Sequence, residues 1–367
     1  MKRIMYISTT TRKLSNEEVD EIGRKSVVNN ARDHVTGVLL SAHEFFFQIL
    51  EGEAKDVDRV LDRIRSDSRH HDILILKAEH DISERFFSHW SMKTVRLDGT
   101  GDLLMEAIRI MLGNITESHR IIERYTQPAV LEFMTQGINP LDVPVKKKEA
   151  VILFGDIVAF SYFSSLYPVE EVADLVNLFL EVTSKIIVDA GGQVTKYVGD
   201  CIVAHFSEEG ADQAIRASLE ILEAVKGLRH SASQCRLQSF LYCGIGISKG
   251  SVIEGNIGSS IKMDYTVLGD IVNLASRLEA LTRDVGKALT LSEPVISASK
   301  EGWAFIKAGE FHLKGQVDAQ PIYSINSEVV DDFPGYEEIL ARSSAVCELD
   351  LPEPNPVNSK DAKGEDK

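Results

Sequence analysis

The sequence predicts an α+β protein of two ferredoxin-like units, each of βαββαβ type, joined by a helical connector. Three observations predict it. The 367 residues exceed by two to three times a typical domain of about 100–150 residues. An alternation of β-rich runs and helix-period runs in the order βαββαβ occurs twice. Between the two lies a heptad-like apolar pattern. Hydrophobic residues make up 44% and charged residues 26%, values of a globular chain. There is no run of 18 apolar residues, which excludes a spanning helix, and the basic start has too short an apolar run for a signal peptide.

Within residues 1–97, Arg3–Ser8 is β-rich, and Ser15 with Glu18 forms a capping box that opens a helix. Val35–Ser41 and Phe45–Gly52 read as a hairpin. Val57, Val60, Leu61 and Ile64 follow helical spacing, and Ile73–Glu79 and Trp90–Val95 close the unit as strands, with helices on one face. In residues 98–144, Met105, Ile108, Leu112, Ile115, His119 and Ile122 form an a/d seam, expected to pair two chains in a parallel homodimer; a single helix packed on its own domain is the alternative. Pro128 limits that helix. Residues 145–326 repeat the rhythm with strands at Ala150–Phe154, Gln193–Val198, Cys201–Phe206, Leu237–Ser248 and Tyr265–Leu268, and helices at Val169–Ala190, Ala211–Leu228 and Asp270–Leu281. Residues 327–367 are rich in acids, Pro, Asn and Ser and are expected to be a disordered tail.

The net charge is −16, of which −7 falls in residues 327–367. So acidic a chain is not expected to bind nucleic acid or an anionic membrane, and a cytoplasmic setting is expected. Cys201, Cys235, Cys243 and Cys347 lack CxxC spacing and read as reduced thiols.

Asp156 follows the apolar strand Val151–Phe154, and Asp200 sits at a hairpin tip. In a ferredoxin-like sheet the strands entering these points are central neighbours, so the carboxylates can converge and suit Mg²⁺. Taken singly, each Asp reads equally as a turn cap. Three segments then occur in order: Phe154-Gly155-Asp156-Ile157-Val158-Ala159-Phe160-Ser161, Gly192-Gln193-Val194-Thr195-Lys196-Tyr197-Val198-Gly199-Asp200, and Asp264-Tyr265-Thr266-Val267-Leu268-Gly269-Asp270-Ile271-Val272-Asn273-Leu274-Ala275-Ser276-Arg277-Leu278. Over about 148–326 these resemble the class III nucleotide cyclase domain. The resemblance implies a head-to-tail dimer with shared active sites. Asp156 and Asp200 of one subunit would hold two Mg²⁺ (or Mn²⁺) ions, and Lys196 and Thr266 of the other would read the purine. Asn273 would orient the ribose, Arg277 would stabilise charge on the α-phosphate, and Lys314 would contact the terminal phosphates. Lys196 with Thr266 resembles the adenine-reading version, with Thr where many members carry Asp; guanine-reading members tend to carry Glu and a small residue. Without that resemblance, Asn273 and Arg277 are a polar helix face and Lys196 a solvent-facing strand residue.

In the first unit, period two places Tyr6 with Ile4 and Ser8, Gln48 with Phe46 and Leu50, and Met92 with Trp90 and Thr94. A Gln among Phe and Leu needs a hydrogen-bond partner, and a Tyr hydroxyl supplies one, with or without a ligand. Tyr6-Ile7-Ser8, Asn30, Thr36–Leu39, Phe47–Gly52, Asp67-Ser68-Arg69-His70 and Trp90-Ser91-Met92 resemble the BLUF blue-light sensor domain. That resemblance implies a flavin, FMN or FAD, between the two helices. Asn30 would hold its polar edge and Gln48 would bridge Tyr6 and the ring, with Met92 beside them and Arg69 and His70 near the ring or ribityl chain. The whole chain resembles the photoactivated adenylyl cyclases over about 1–326. The implied activity is blue-light-raised conversion of ATP to cyclic AMP and pyrophosphate. A flavin receptor with a non-catalytic nucleotide-binding domain, or a guanylyl cyclase, are the alternatives.

Overall fold

The computed structural model describes residues 1–42, 45–89, 91–97, 103–231, 236–313, 318–335 and 338–341. They divide into two compact units, residues 1–145 with 255–265, and residues 146–254 with those from 266 onward. No helix among the described residues is long and apolar enough to cross a membrane.

The first unit contains β1 (Lys2–Thr10), α1 (Asn16–Arg32), β2 (Thr36–Ala42), β3 (Phe45–Gly52), α2 (Ala54–Arg65), β4 (His70–Glu79), β5 (Lys93–Arg96), α3 (Leu103–Tyr125) and α4 (Pro128–Thr135). Its sheet order is β4-β1-β3-β2-β5; the first four strands have the ferredoxin-like arrangement and β5 adds in parallel beside β2. The capping box forms as read: Ser15 Oγ accepts from Glu18 N–H, and Glu18 Oε2 accepts from Ser15 N–H at 2.8 Å. Gly37 permits the β2–β3 contact, since a Cβ there would stand 1.9 Å from the Ile49 carbonyl oxygen.

Strand alternation gives the sheet two apolar faces. Ile4, Tyr6, Leu39, Phe46 and Leu50 pack with Val19 of α1 and Val57, Val60 and Leu61 of α2. Ile7, Ala42, Leu74 and Leu97 pack with Ile108 and Leu112 of α3. This corrects two expectations. The helices do not all lie on one face, because the second face is also apolar and α3 covers it. The expected seam also divides: Leu112 is buried against the sheet, whereas Ile115 and Ile122 are exposed. The Met105 side chain lies outside the described residues, as does Trp90, and β5 begins after Met92 rather than at Trp90.

The remaining elements are β6 (Lys146–Ile157), α5 (Phe160–Leu166), α6 (Val169–Asp189), β7 (Gln193–Val198), β8 (Cys201–Phe206), α7 (Ala211–His230), β9 (Cys243–Gly258), β10 (Met263–Leu268), α8 (Asp270–Val285), β11 (Leu289–Ser292), α9 (Glu293–Ala298), β12 (Phe305–Phe311), β13 (Gln320–Ile325) and α10 (Glu328–Asp331); they belong to the second unit except residues 255–265, at the end of β9 and the start of β10. Their sheet runs β12-β13-β11-β9-β6-β8-β7, with β10 paired to β9. The stretch β9-β6-β8-β7 is the ferredoxin-like core, and β6 and β8 are central antiparallel neighbours. Residues 236–240 form a 3₁₀ helix rather than the start of a strand. Residues from 327 do not begin a disordered tail: Val329, Val330, Phe333 and Ile339 are buried in the main core of this unit. The acidic composition hid four well-spaced apolar side chains that complete that core. Residues 342–367 lie outside the described residues.

Candidate flavin pocket and candidate active site

Adjacent strands β1 and β3 place Tyr6 directly opposite Gln48. Both are buried, and the Tyr6 hydroxyl donates to Gln48 Oε1. Gln48 Nε2 in turn approaches Met92 Sδ at 3.6 Å, and Asn30, in the last turn of α1, donates from Nδ2 to the Ser91 carbonyl at 3.2 Å. A cavity of about 210 Å³ opens here, lined by Tyr6, Asn29, Asn30, Gln48, Arg63 and Arg69 among others. Burial pushes the Tyr6 hydroxyl well above its ordinary pKa, and the charge of Asp67 adds to this. Arg69 is held by the Asp67 carboxylate at 2.9 Å. The side chain of His70 lies outside the described residues.

The sequence reading missed a tie on the other side of β1 and β3, where Arg3 and Glu51 alternate with Ile4, Tyr6, Gln48 and Leu50. Glu51 on β3, fully buried, accepts from Arg3 Nε at 2.5 Å and from the backbone N–H groups of Phe86 and Phe87 at 3.0 Å each. Arg3 also donates to the Glu84 carbonyl at 2.9 Å and stacks 3.4 Å over the Phe86 ring. The segment leading to Ser91 and Met92 is thereby fixed to β1 and β3.

In the second unit, Asp156 lies near the end of β6 and Asp200 on the β7–β8 turn, where Gly199 takes the left-handed conformation (φ 66). Gly155 pairs with Ile202 across β6 and β8, which draws the two carboxylates together. The Cys201 thiol donates to Asp156 Oδ1 at 3.1 Å, and Arg283 Nη2 donates to Asp156 Oδ2 at 3.3 Å. Arg283 also pairs with the buried Glu279 at 2.9 Å. Glycine makes this possible. A Cβ at Gly246 would lie 2.3 Å from the Ala275 carbonyl oxygen, and one at Gly244 would lie 2.5 Å from Thr282 Oγ1, so α8 rests on the bare backbone of β9.

Burial, with the adjacent Asp156 charge, pushes the Asp200 carboxyl up to about 7, although backbone hydrogen bonds from Asp200 and Ile157 oppose the rise. Burial likewise pushes Glu279 up to about 8. Asp200 Oδ2 is buried without a hydrogen-bond partner among the described residues. An orphaned carboxylate oxygen beside a second carboxylate, both costly to ionise together, is a donor set that suits a hard divalent cation.

The structure brings together Asp156, Asp200, Cys201, Glu279 and Arg283. Among the described residues no hydrogen bond or ion pair joins Lys196, Thr266, Asn273 or Arg277 to that cluster. Thr266 is buried with its hydroxyl unpartnered, Asn273 is exposed, and Lys196 and Arg277 are half-buried. Lys314 lies outside the described residues, directly after the buried Leu313. The sequence reading missed Arg283 and Glu279; their i, i+4 spacing on a helix was the available signal, one shared by many surface pairs.

Family models match both units. Residues 1–93 match BLUF, "Sensors of blue-light using FAD", and residues 143–327 match the "Adenylate and Guanylate cyclase catalytic domain". Photoactivated adenylate cyclase subunit alpha of Euglena gracilis is 30% identical over 327 residues, covering 88% of this chain and 31% of that protein. Subunit beta of the same organism is 30% identical over 80% of this chain and 34% of its own length. The chain thus spans about a third of the length of these curated relatives. A solved structure of a bacterial light-regulated adenylyl cyclase is 43% identical, with a TM-score of 0.85, covering 93% of this chain and 98% of that one. The chain therefore belongs to the photoactivated adenylate cyclases, in which a BLUF domain is joined to an adenylate and guanylate cyclase catalytic domain.

Proposed function

We propose that the chain converts ATP to 3′,5′-cyclic AMP and pyrophosphate, and that blue light raises the rate. The observation that carries the reading is the convergence of Asp156 with the buried, partnerless Asp200 oxygen at the ends of neighbouring strands. When bound, two divalent ions, Mg²⁺ or Mn²⁺, draw negative charge off the triphosphate and acidify the ribose 3′-hydroxyl. Asp156 and Asp200 hold them, and Arg283 and Cys201 orient the Asp156 carboxylate from the protein side. Arg277 faces the charge that develops on the α-phosphate, Asn273 orients the ribose and Lys314 binds the terminal phosphates. Lys196 and Thr266, contributed by a second subunit, select adenine: the ammonium donates to a ring nitrogen and the Thr266 hydroxyl, unpartnered among the described residues, accepts from the exocyclic amine.

The sensor is assigned to residues 1–97, the connector to 98–144 and the catalytic domain to residues from 145 through the core-forming Val329, Val330, Phe333 and Ile339. When bound, a flavin, FAD by the family description, supplies light absorption. Asn30 holds its polar edge, Arg69 and His70 lie toward the ribityl side, and Tyr6, Gln48 and Met92 form the responsive hydrogen-bond chain. Gln48 links Tyr6 to Met92, so a change in its amide orientation reaches the residue before β5, which runs toward α3. The exposed stripe Ile110, Met111, Ile115 and Ile122 on α3 is assigned to the homodimer contact.

Purified protein incubated with Mg²⁺ and ATP or GTP, in darkness and in blue light, tests the reading. Light-raised cyclic AMP is expected; no product from either nucleotide favours a non-catalytic binding domain, and cyclic GMP alone favours a guanylyl cyclase. Tyr6→Phe and Gln48→Glu are expected to abolish the light response, and full light dependence in either overturns the sensor assignment.

A further inference from the structure

Cys201 stands inside the carboxylate cluster. One ligand atom from each of Asp156, Asp200 and Cys201 lies within 4.8 Å of the others, and the Cys201 thiol already donates to Asp156 Oδ1 at 3.1 Å. An independent feature of the same cluster points to a cation: Asp200 is 9% exposed and its Oδ2 has no partner among the described residues. Cys243, by contrast, is packed in the hydrophobic core. The oxygens alone suit Mg²⁺, which takes oxygen ligands in near-octahedral geometry. A sulfur in the same cluster changes the selectivity. Soft thiolate favours Zn²⁺ and its heavier congener Cd²⁺, and Zn²⁺ accepts mixed sulfur and carboxylate sets in tetrahedral geometry.

We infer that Asp156, Asp200 and Cys201 form a mixed oxygen–sulfur site that captures a thiophilic divalent ion, Zn²⁺ or Cd²⁺. Capture breaks the Cys201 S–H bond, passes its proton to water and forms a sulfur–metal bond, with no change of oxidation state. The captured ion occupies the carboxylates proposed above for Mg²⁺, so it inhibits. Only this competition rests on that reading. The site itself goes beyond it and is testable without Mg²⁺ or nucleotide.

Full-length protein is titrated with Cd²⁺ alone, and the sulfur-to-metal charge-transfer band is read in the ultraviolet as a difference spectrum. One equivalent per chain is expected to develop the band. Cys201→Ser is expected to remove it and to weaken binding by no less than the ~10–100-fold typical of losing an outer-shell partner. Asp200→Asn, which retains every cysteine, is expected to weaken binding comparably, so the outcome does not hinge on one variant's folding. Absence of a band, or a band that persists in Cys201→Ser, overturns the site. If both variants lose Cd²⁺ binding but one equivalent of Cd²⁺ leaves the Mg²⁺-dependent cyclic AMP formation of the wild type undiminished, the thiol site stands and the assignment of these carboxylates to Mg²⁺ falls.

Discussion

Asp200 is held where its ionisation opposes folding. Its pKa rises from an ordinary 3.8 to about 7 through burial and the neighbouring Asp156 charge. The folded state therefore binds the proton more tightly than the unfolded chain. The resulting cost is absent below about pH 4, grows between about pH 4 and 7, and is complete above about pH 7. Without divalent ions, Asp200→Asn is expected to melt above the wild type at about pH 8 and level with it at about pH 4; with Mg²⁺ and ATP present, its cyclic AMP formation is expected to fall by about 10²–10³-fold or more. Equal melting temperatures at the higher pH would remove the electrostatic argument. Glu254 shows the opposite sign. His205 at 3.5 Å, Lys148 at 2.7 Å and Lys146 at 3.1 Å hold its carboxyl below the usual range. Its stabilisation is present above about pH 4.5 and is lost on acidification, so the deficit of Glu254→Gln in thermal melts should shrink below that pH.

At the scale of elements, close approach decides where side chains end up. Gly246 lets α8 lie directly on β9, which carries Glu279 and Arg283 beneath Asp156. Gly246→Ala is expected to destabilise the catalytic unit by about 1–3 kcal/mol or more, because the obstacle is backbone that cannot rotate away. Urea unfolding followed by circular dichroism measures this. In the sensor, Glu51 ties the Phe86–Phe87 backbone to Arg3. Glu51→Gln retains the shape but loses the charge opposite Arg3, so the segment bearing Met92 loosens. A shifted flavin absorption maximum and an altered rate of dark recovery are expected, with the fold retained in far-ultraviolet dichroism; an unchanged spectrum and rate would make Glu51 a purely structural residue. The expected seam on α3 illustrates the same physics. Its heptad spacing is visible in sequence, yet Leu112 turns to the sheet because Ile7, Leu74 and Leu97 present an apolar face that water would otherwise cover.

At the scale of the whole molecule, each active site is proposed to draw on two subunits. Asp156 and Asp200 lie in one cluster, while Thr266 has a buried hydroxyl with no partner among the described residues. If sites are shared between subunits, Asp200→Asn and Lys196→Ala are each inactive alone. When mixed and allowed to exchange, each heterodimer assembles one intact site, and an equal mixture should recover about a quarter of wild-type activity, since half the dimers are mixed and each has one of two sites whole. No recovery after verified subunit exchange would overturn the shared site.

The sequence by itself determined the order of the ferredoxin-like core elements, because helical and strand periodicity, the Ser15–Glu18 cap and the turn at Gly199–Asp200 are local, and it carried the long motifs that mark the family, but it did not show α5, β11, α9, β12, β13 or α10. Period two gave the faces on which Tyr6 and Gln48 lie, but their direct opposition depends on the β1–β3 register, which only the folded sheet supplies. Only the tertiary structure decided what surrounds Asp156. Cys201 lies 45 residues away from it in sequence and Arg283 127, and such pairings depend on sheet register and on how closely α8 docks. It also decided that Val329, Val330, Phe333 and Ile339 belong to the core, since an acidic average conceals a few apolar side chains until there is a surface for them to cover.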